Sequence, residues 1–342
     1  MVRRGVAALV RGCHRRATRG PAGTRARLAL HDVTTAIEQR PRLWVRALAA
    51  MIPRLPFGQY WLVSQLRRFP APAFMMRLPS GLGGLAFHCD QRDSVAREVC
   101  FTGCYEPQET QIACRLLHAG DVFVDVGANW GYFSLTAAHR VGPGGRVVAF
   151  EPEPRLFALL QANLDANALT SVRARPLAVA AGDGHLAFEA FRVETGNWGR
   201  SHAVQPAASA DFESPTVGLD AALDAEGIGT VTLVKIDVEG GEADVLAGMQ
   251  RGLGAGRYRY VLLECHPALL EARGLTTEEC LRPLLDAGYR AWLVTHSPDV
   301  HRRAARSPMR AAELMRPYRS GVAPGDWPHV LAAAPGAQDP AW

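Results

Sequence analysis

Asp125-Val126-Gly127-Ala128-Asn129-Trp130-Gly131, followed 20 residues after its last glycine by Glu151, is the stretch of this chain best suited to hold a ligand. The run VFVDVG (122–127) reads as a strand, and a helix is expected from Tyr132 to His139. Gly127 lets the backbone turn sharply and lets a ligand approach it, while Gly131 relieves crowding where the helix begins. The helix N-terminus is expected to offer free N–H groups and a partial positive charge. Glu151 ends the next strand, at the offset of an acid that accepts hydrogen bonds from two ribose hydroxyls. The spacing is GxxxG rather than GxGxxG, and the Asp125 carboxylate would repel a pyrophosphate, which argues against a nicotinamide or flavin dinucleotide. It would suit a ligand bearing an ammonium and a sulfonium, and S-adenosylmethionine has both. Taken singly, Asp125 could cap the helix and Glu151 could be a solvated strand end; in this order and at these positions they point to a cofactor site. The expected contacts are Asp125, Gly127, Ala128, Asn129, Gly131 and Glu151.

Methyl transfer is an in-line displacement at carbon, so the protein must align an acceptor with the carbon–sulfur bond and, for an alcohol, take up its proton. Ligands bind at the carboxyl ends of strands in open α/β sheets. There Lys235-Ile236-Asp237-Val238-Glu239 places Lys235, Asp237 and Glu239 on one side of a strand, and Glu242 falls in the first turn of the next helix. The following strand brings Glu264 and His266 to the same edge. His266 is the expected general base, because imidazole titrates near neutral pH, and Asp237 is expected to position it or the acceptor hydroxyl. Glu239 and Glu242 could equally serve only to favour the helix's positive end. The acids also permit a divalent metal that would lower the hydroxyl pKa, with Asp237, Glu239 and Glu264 as its ligands; their spacing is not diagnostic, and the expectation is a site without metal.

The elements that must position these groups alternate strand and helix. Strands are expected at 122–127, 146–151, within 171–180, at 231–238, 260–265, 289–295 and 329–334, with helices over Pro154–Asn167, Glu242–Met249 and from Thr276, where Glu279 completes a capping box. Such alternation implies α/β architecture, a seven-stranded, mostly parallel sheet covered on both faces. Residues 182–216 break the rhythm: they read as an aperiodic, mobile cover over the acceptor, with Trp198 exposed. Upstream, Leu28–Leu66 reads as proline-interrupted helix, 73–90 as two strands around a Gly-rich turn, and Glu109–His118 as a helix ending at Gly120. The expected organisation is a disordered basic tail over 1–28, compositionally akin to a transit peptide, an appendage over 29–100, and a catalytic domain over 101–335.

With 48% hydrophobic and 21% charged residues, the 342-residue chain has the composition of a globular protein with a sizeable core. Its net charge of +5 rests on arginine, since Lys235 is the only lysine; with so much alanine this reads as codon bias, not as a nucleic-acid footprint. Seven cysteines without a CxxC pair argue against a disulfide framework or a thiolate zinc site, and a reducing, cytoplasmic setting is expected. Arg46, Pro53, Arg54 and Pro56 interrupt the one apolar stretch long enough to suggest a membrane span.

Four blocks resemble the FkbM-type methyltransferases: FTGCYEPQE leading to GDVFVDVGANWGYFSL (101–135), VVAFEPEPRLFALLQANLDAN (147–167), TVTLVKIDVEGGEADVLAGM (230–249) and YVLLECHP (260–267). The resemblance implies a Rossmann-like class I methyltransferase sheet with one antiparallel strand near its edge. It also implies S-adenosylmethionine-dependent methyl transfer, commonly to a hydroxyl of a sugar, glycan or other natural product. It does not cover residues 1–70. A non-catalytic module on the same fold is the competing reading, and intact Asp125, Glu151 and Asp237 speak against it.

Overall fold

The computed structural model describes residues 40–342 apart from 56, 70, 205–209, 322–324 and 326. The expected tail over 1–28 and the start of the helical segment that follows lie outside the described residues. The appendage consists of helices α1 (Leu43–Met51) and α2 (Gln59–Gln65), a hairpin of β1 (Phe74–Arg77) and β2 (Ala86–Cys89), and helix α3 (Ser94–Thr102). Helix α3 was not expected, although its signals are ordinary: Asp93 caps it by accepting from Ala96 N–H, and Gly103 closes it at φ +81°. Helix α4 (Pro107–Leu116) then stops short of the expected His118, and the Gly120 N–H bonds to Val141 instead of capping it.

From there β3 (Val122–Val126), α5 (Tyr132–Val141), β4 (Arg146–Phe150), α6 (Pro154–Asp165) and β5 (Val172–Arg175) follow the expected rhythm. The expected strand within 171–180 divides at Pro176, which has no N–H to give a ladder. Its second part, β6 (Ala178–Ala180), leaves the main sheet and joins β7 (Gly184–Glu189), β8 (His202–Ala203) and β9 (Phe212–Gly218) in a separate sheet ordered β6-β9-β7-β8. Helix α7 (Leu219–Ala225), β10 (Val231–Ile236), α8 (Glu242–Ala247), α9 (Gln250–Gly254), β11 (Tyr258–Glu264), α10 (Pro267–Glu271), α11 (Thr277–Asp286) and β12 (Arg290–Val294) continue the alternation. Helices α12 (Pro298–Ala304) and α13 (Ala311–Leu314) precede a short edge strand β13 (Met315–Pro317) and the last strand, β14 (His329–Ala333).

The main sheet has eight strands, not seven, in the order β13-β12-β14-β11-β10-β3-β4-β5. Strand β14 runs antiparallel between β11 and β12, as the family resemblance implies, and β13 adds a second antiparallel strand at the edge. Alternate residues feed two cores. Phe123, Val147, Leu233 and Leu262 enter one, and Val124, Val148, Val234 and Val261 the other, so both faces of the sheet are covered. The appendage shares the first core and is pinned to α6, where Asn163 Oδ1 accepts from His88 N–H at 2.7 Å. Residues past 335 also pack inward: Gln338 O accepts from Tyr260 Oη at 2.8 Å.

The segment 182–216 departs most from expectation. It contains strands β7 and β8 and the start of β9, and Trp198 is fully buried, stacked between Trp130 and Phe191 with ring centroids 5.6 and 5.3 Å away. Asp93, which caps α3, also accepts from Trp198 N–H at 2.9 Å and ties the segment to the appendage. The indole is therefore an anchor for the segment, not part of a mobile cover.

Candidate active site

The carboxyl ends of β3, β4 and β10 open onto one cleft that combines apolar walls with a few convergent polar groups. Its apolar walls include Val126, Phe150, Leu156, Leu177 and Val179, and its polar lining includes Glu151, Asn129, Asp237, Glu239 and Glu264. The segment 182–216 contributes Leu186, Phe188, Asn197, Gly199 and Ser201. It therefore faces the cleft as expected, through strand β7 and the connection that follows it.

Of the expected cofactor residues, Gly127, Asn129 and Glu151 line this cleft, whereas Asp125, Ala128 and Gly131 stand behind it. Gly127 is at φ +85°, and a Cβ there would lie 1.8 Å from the Asp237 carbonyl oxygen, so only glycine lets the loop touch the end of β10. Gly131, at φ +82°, faces Leu160 in the same way. The N–H groups of the loop itself are occupied. Those of Gly127 and Ala128 bond to Phe150 O at 3.0 and 2.9 Å, and that of Gly131 to Ala128 O at 2.8 Å. Glu151 Oε2 accepts from Asn129 N–H at 2.8 Å, and Asn129 Oδ1 from Trp130 N–H at 2.8 Å. A loop so occupied is no phosphate cradle. Glu151 also accepts from Glu153 N–H through Oε1 at 2.9 Å, and burial raises its pKa to about 8. Asp125 is 1% exposed, accepts from Ser134 Oγ at 2.6 Å, and has its pKa raised by burial. Its carboxylate supports the first turn of α5 from behind the loop.

The side of the cleft formed by the ends of β10 and β11 is acidic. Lys235 Nζ sits 3.0 Å from Asp237 Oδ2 and 3.7 Å from Glu106. Burial alone would raise the Asp237 pKa, but the Lys235 ammonium and its hydrogen bond, with the charges of His266 and His329, together outweigh it and hold this carboxylate below its usual range. Glu239, two residues on, goes the other way: burial raises its pKa to about 7 despite the nearby His266. Its backbone sits at φ +47°, a left-handed conformation rare for a glutamate and of the kind found at functional sites.

His266 does not line the cleft. It is 4% exposed, its Nδ1 lies 2.5 Å from Glu242 Oε1, and its Nε2 lies 3.5 Å from both Glu239 and Glu264. Burial would lower the imidazole pKa, but the hydrogen bond to Glu242 and the surrounding carboxylates raise it to about 9. At neutral pH this ring is an imidazolium. Glu264 accepts from Trp327 Nε1 at 2.6 Å and lies 3.7 Å from His329, which in turn meets Glu109 at 2.9 Å. Asp237, Glu264 and His266 bring one potential metal-ligand atom each within 4.8 Å of one another, and His266 Nε2 has no hydrogen-bond partner. Of the residues expected to ligate a metal, Asp237 and Glu264 belong to this group and Glu239 does not.

The Methyltransferase FkbM domain matches residues 125–291, the span that holds every one of these cleft carboxylates. The 31-O-demethyl-FK506 methyltransferase FkbM of Streptomyces tacrolimicus is 31% identical over 237 residues, covering 59% of this chain and 88% of that protein. The chain belongs to the FkbM methyltransferase family. Hexuronic acid methyltransferase AglP of Haloferax volcanii is 29% identical over 146 residues, 43% of this chain and 56% of AglP. Methyltransferase 1 of Beauveria bassiana is 29% identical over 143 residues, 37% of this chain and 57% of its own. The chain thus spans little more than half the length of these last two. As an FkbM family member it is an S-adenosylmethionine-dependent methyltransferase. Glu151, Gly127 and the apolar walls of the cleft fit that cofactor: a carboxylate for ribose hydroxyls, a close backbone approach, and a slot for an adenine ring.

Proposed function

We propose that this FkbM family member methylates a hydroxyl oxygen of a neutral sugar or natural product, with Glu239 taking the hydroxyl proton. S-adenosylmethionine supplies a methyl carbon on a sulfonium, and the acceptor oxygen displaces it as the carbon–sulfur bond breaks. Asp237 and Glu239 carry the reading. They face one cleft from the same strand end, and their surroundings push their pKa values apart, as in a site where one carboxylate orients and the other moves a proton. Ionised Asp237 suits the sulfonium or a donating hydroxyl. A base whose pKa is near 7 suits proton removal at neutral pH better than a buried imidazolium whose pKa is near 9. His266 is then a positioning residue, its positive charge holding the Glu239 and Glu264 carboxylates in place.

Asp125, Ala128 and Gly131 serve the cofactor by shaping the loop, and Glu151, Gly127 and Asn129 by meeting it. The relatives named for a 31-O-demethyl compound and for a hexuronic acid are consistent with an oxygen acceptor. The acidic lining favours a neutral one, because Asp237, Glu239, Asp244 and Glu264 would repel a carboxylate. Label transfer from S-adenosylmethionine to a panel of neutral glycosides and the matching uronic acids tests this. Methyl ethers on the neutral members are the expected products. Methyl esters of the uronates, or methylamines from amino sugars, would refute the hydroxyl reading.

A further inference from the structure

Charge is distributed very unevenly along the chain. Residues 1–89 hold fifteen arginines and two acids, Asp32 and Glu38, whereas residues 90–342 hold 23 basic and 31 acidic residues. The first 89 residues thus carry a net charge of about +13 and the rest about −8, which a uniform codon bias would not produce. Between Arg40 and Cys89 there are seven arginines and no acid at all.

The same stretch holds nearly all of the large apolar side chains that face solvent. Among the described residues seven are exposed, and six of these are Leu43, Trp44, Met51, Phe57, Trp61 and Phe69. The helices are not loose: α1 turns Val45 inward, with Ile52 buried just past its end, and α2 buries Gln59 and Val63. Both pack against the appendage helix α3. Their outer sides therefore present Leu43, Trp44, Met51 and Trp61 by construction, seven residues separating Trp44 from Met51 on one helical face. Arg42, Arg46, Arg54, Arg67 and Arg68 are exposed among them. Exposed aromatic and aliphatic side chains interleaved with arginine, on short helices otherwise anchored to a core, are the features of a segment lying in the plane of a membrane interface. No helix among the described residues is long and apolar enough to cross a membrane.

We infer that helices α1 and α2 and the chain between and after them form a docking surface for an anionic lipid bilayer. Arginines near such a surface are drawn to its negative headgroup potential, and the aromatic rings sit at headgroup level. Other occupants fit less well. Residues 1–39 carry eight arginines and two acids, so like charge opposes their lying over this patch. Nucleic acid would match the arginines but gains no stacking from Leu43 or Met51. A second copy could offer its acidic body, and the oligomeric state would reveal it.

The full-length chain is mixed with vesicles of pure phosphatidylcholine and of phosphatidylcholine with phosphatidylglycerol, and the bound fraction is measured by sedimentation. Binding is expected to the anionic vesicles, to fall with salt, and to blue-shift tryptophan emission. Phe57 and Trp61 are 73% and 69% exposed, so Phe57→Ser/Trp61→Ser leaves the core intact, with unchanged melting and cofactor affinity. It is expected to cut the vesicle partition coefficient about tenfold or more. Several outcomes would overturn the inference: no binding to anionic vesicles, binding the double variant does not weaken, binding to RNA in preference to vesicles, or a dimer that the double variant dissolves. Shielding of Trp61 from acrylamide in the free protein would overturn it too, since the patch would then be covered.

Discussion

Replacing Glu239 with glutamine is expected to lower kcat by about 10²–10⁴-fold while leaving cofactor affinity nearly unchanged, because the proton is taken only as the acceptor attacks. The sign of the pH dependence follows from the carboxylate's position. Its pKa is raised by burial to about 7, and it acts as a base only when ionised. The rate should therefore climb with pH through about 7 and then level off. Glu239→Gln should lose that limb. His266 sits 3.5 Å from Glu239 and its positive charge lowers the Glu239 pKa, so His266→Gln should move the limb to higher pH rather than abolish activity. A pH–rate series on the three enzymes checks this. Full kcat in Glu239→Gln would remove the base assignment. A wild-type limb near 9 that vanishes in His266→Gln would return the role to the imidazole. Activity lost to a chelator and restored by magnesium would instead assign Asp237, Glu264 and His266 to a cation.

The second large effect is at Glu151. Replacement by alanine should weaken S-adenosylmethionine binding by about 1.5–3 kcal/mol, roughly 10- to 150-fold, the range for a hydrogen bond to a charged group. The carboxylate's burial adds a pH signature. In the free protein its pKa is raised to about 8, whereas hydroxyl donors favour the ionised form, so binding expels a proton at lower pH. Affinity should rise with pH by up to about tenfold per unit and flatten above about 8. The alanine variant should lose this slope. It also orphans the N–H groups of Asn129 and Glu153, so the titration belongs at a temperature where circular dichroism shows the variant native. Unchanged affinity in the folded variant would refute the ribose contact.

Much of this site is legible in the sequence. The alternation of apolar runs gave β3, β4, β10 and β11 because a parallel strand buried on both faces needs continuous apolar sequence, and Asp125 and Lys235 stood out as the exceptions. The offset from Gly131 to Glu151 located the cleft because one helix and one strand have a nearly fixed length. Other features depend on what distant segments bring. Glu239 titrates near 7 because the fold buries it, with Asp237, Glu264 and His266 around it, which no local pattern encodes. His266 is held as an imidazolium by Glu242, whose place in a first helical turn was clear but whose direction was not. The loop N–H groups were consumed by Phe150, Ala128, Asn129 and Glu151 across strand boundaries. The sheet within 182–216 was missed because short strands such as GHLAFE, broken by Gly and Pro, lack the periodicity of a core strand.

Calorimetric titration of the wild-type protein with S-adenosylmethionine, beside an identical titration with NAD, tests the cofactor cleft most directly. One S-adenosylmethionine should bind per chain and no NAD, since the loop's N–H groups are occupied and the lining acids oppose a pyrophosphate. Binding of NAD, or no S-adenosylmethionine binding by the folded protein, would contradict the assignment of the cleft between Gly127, Glu151 and Asp237.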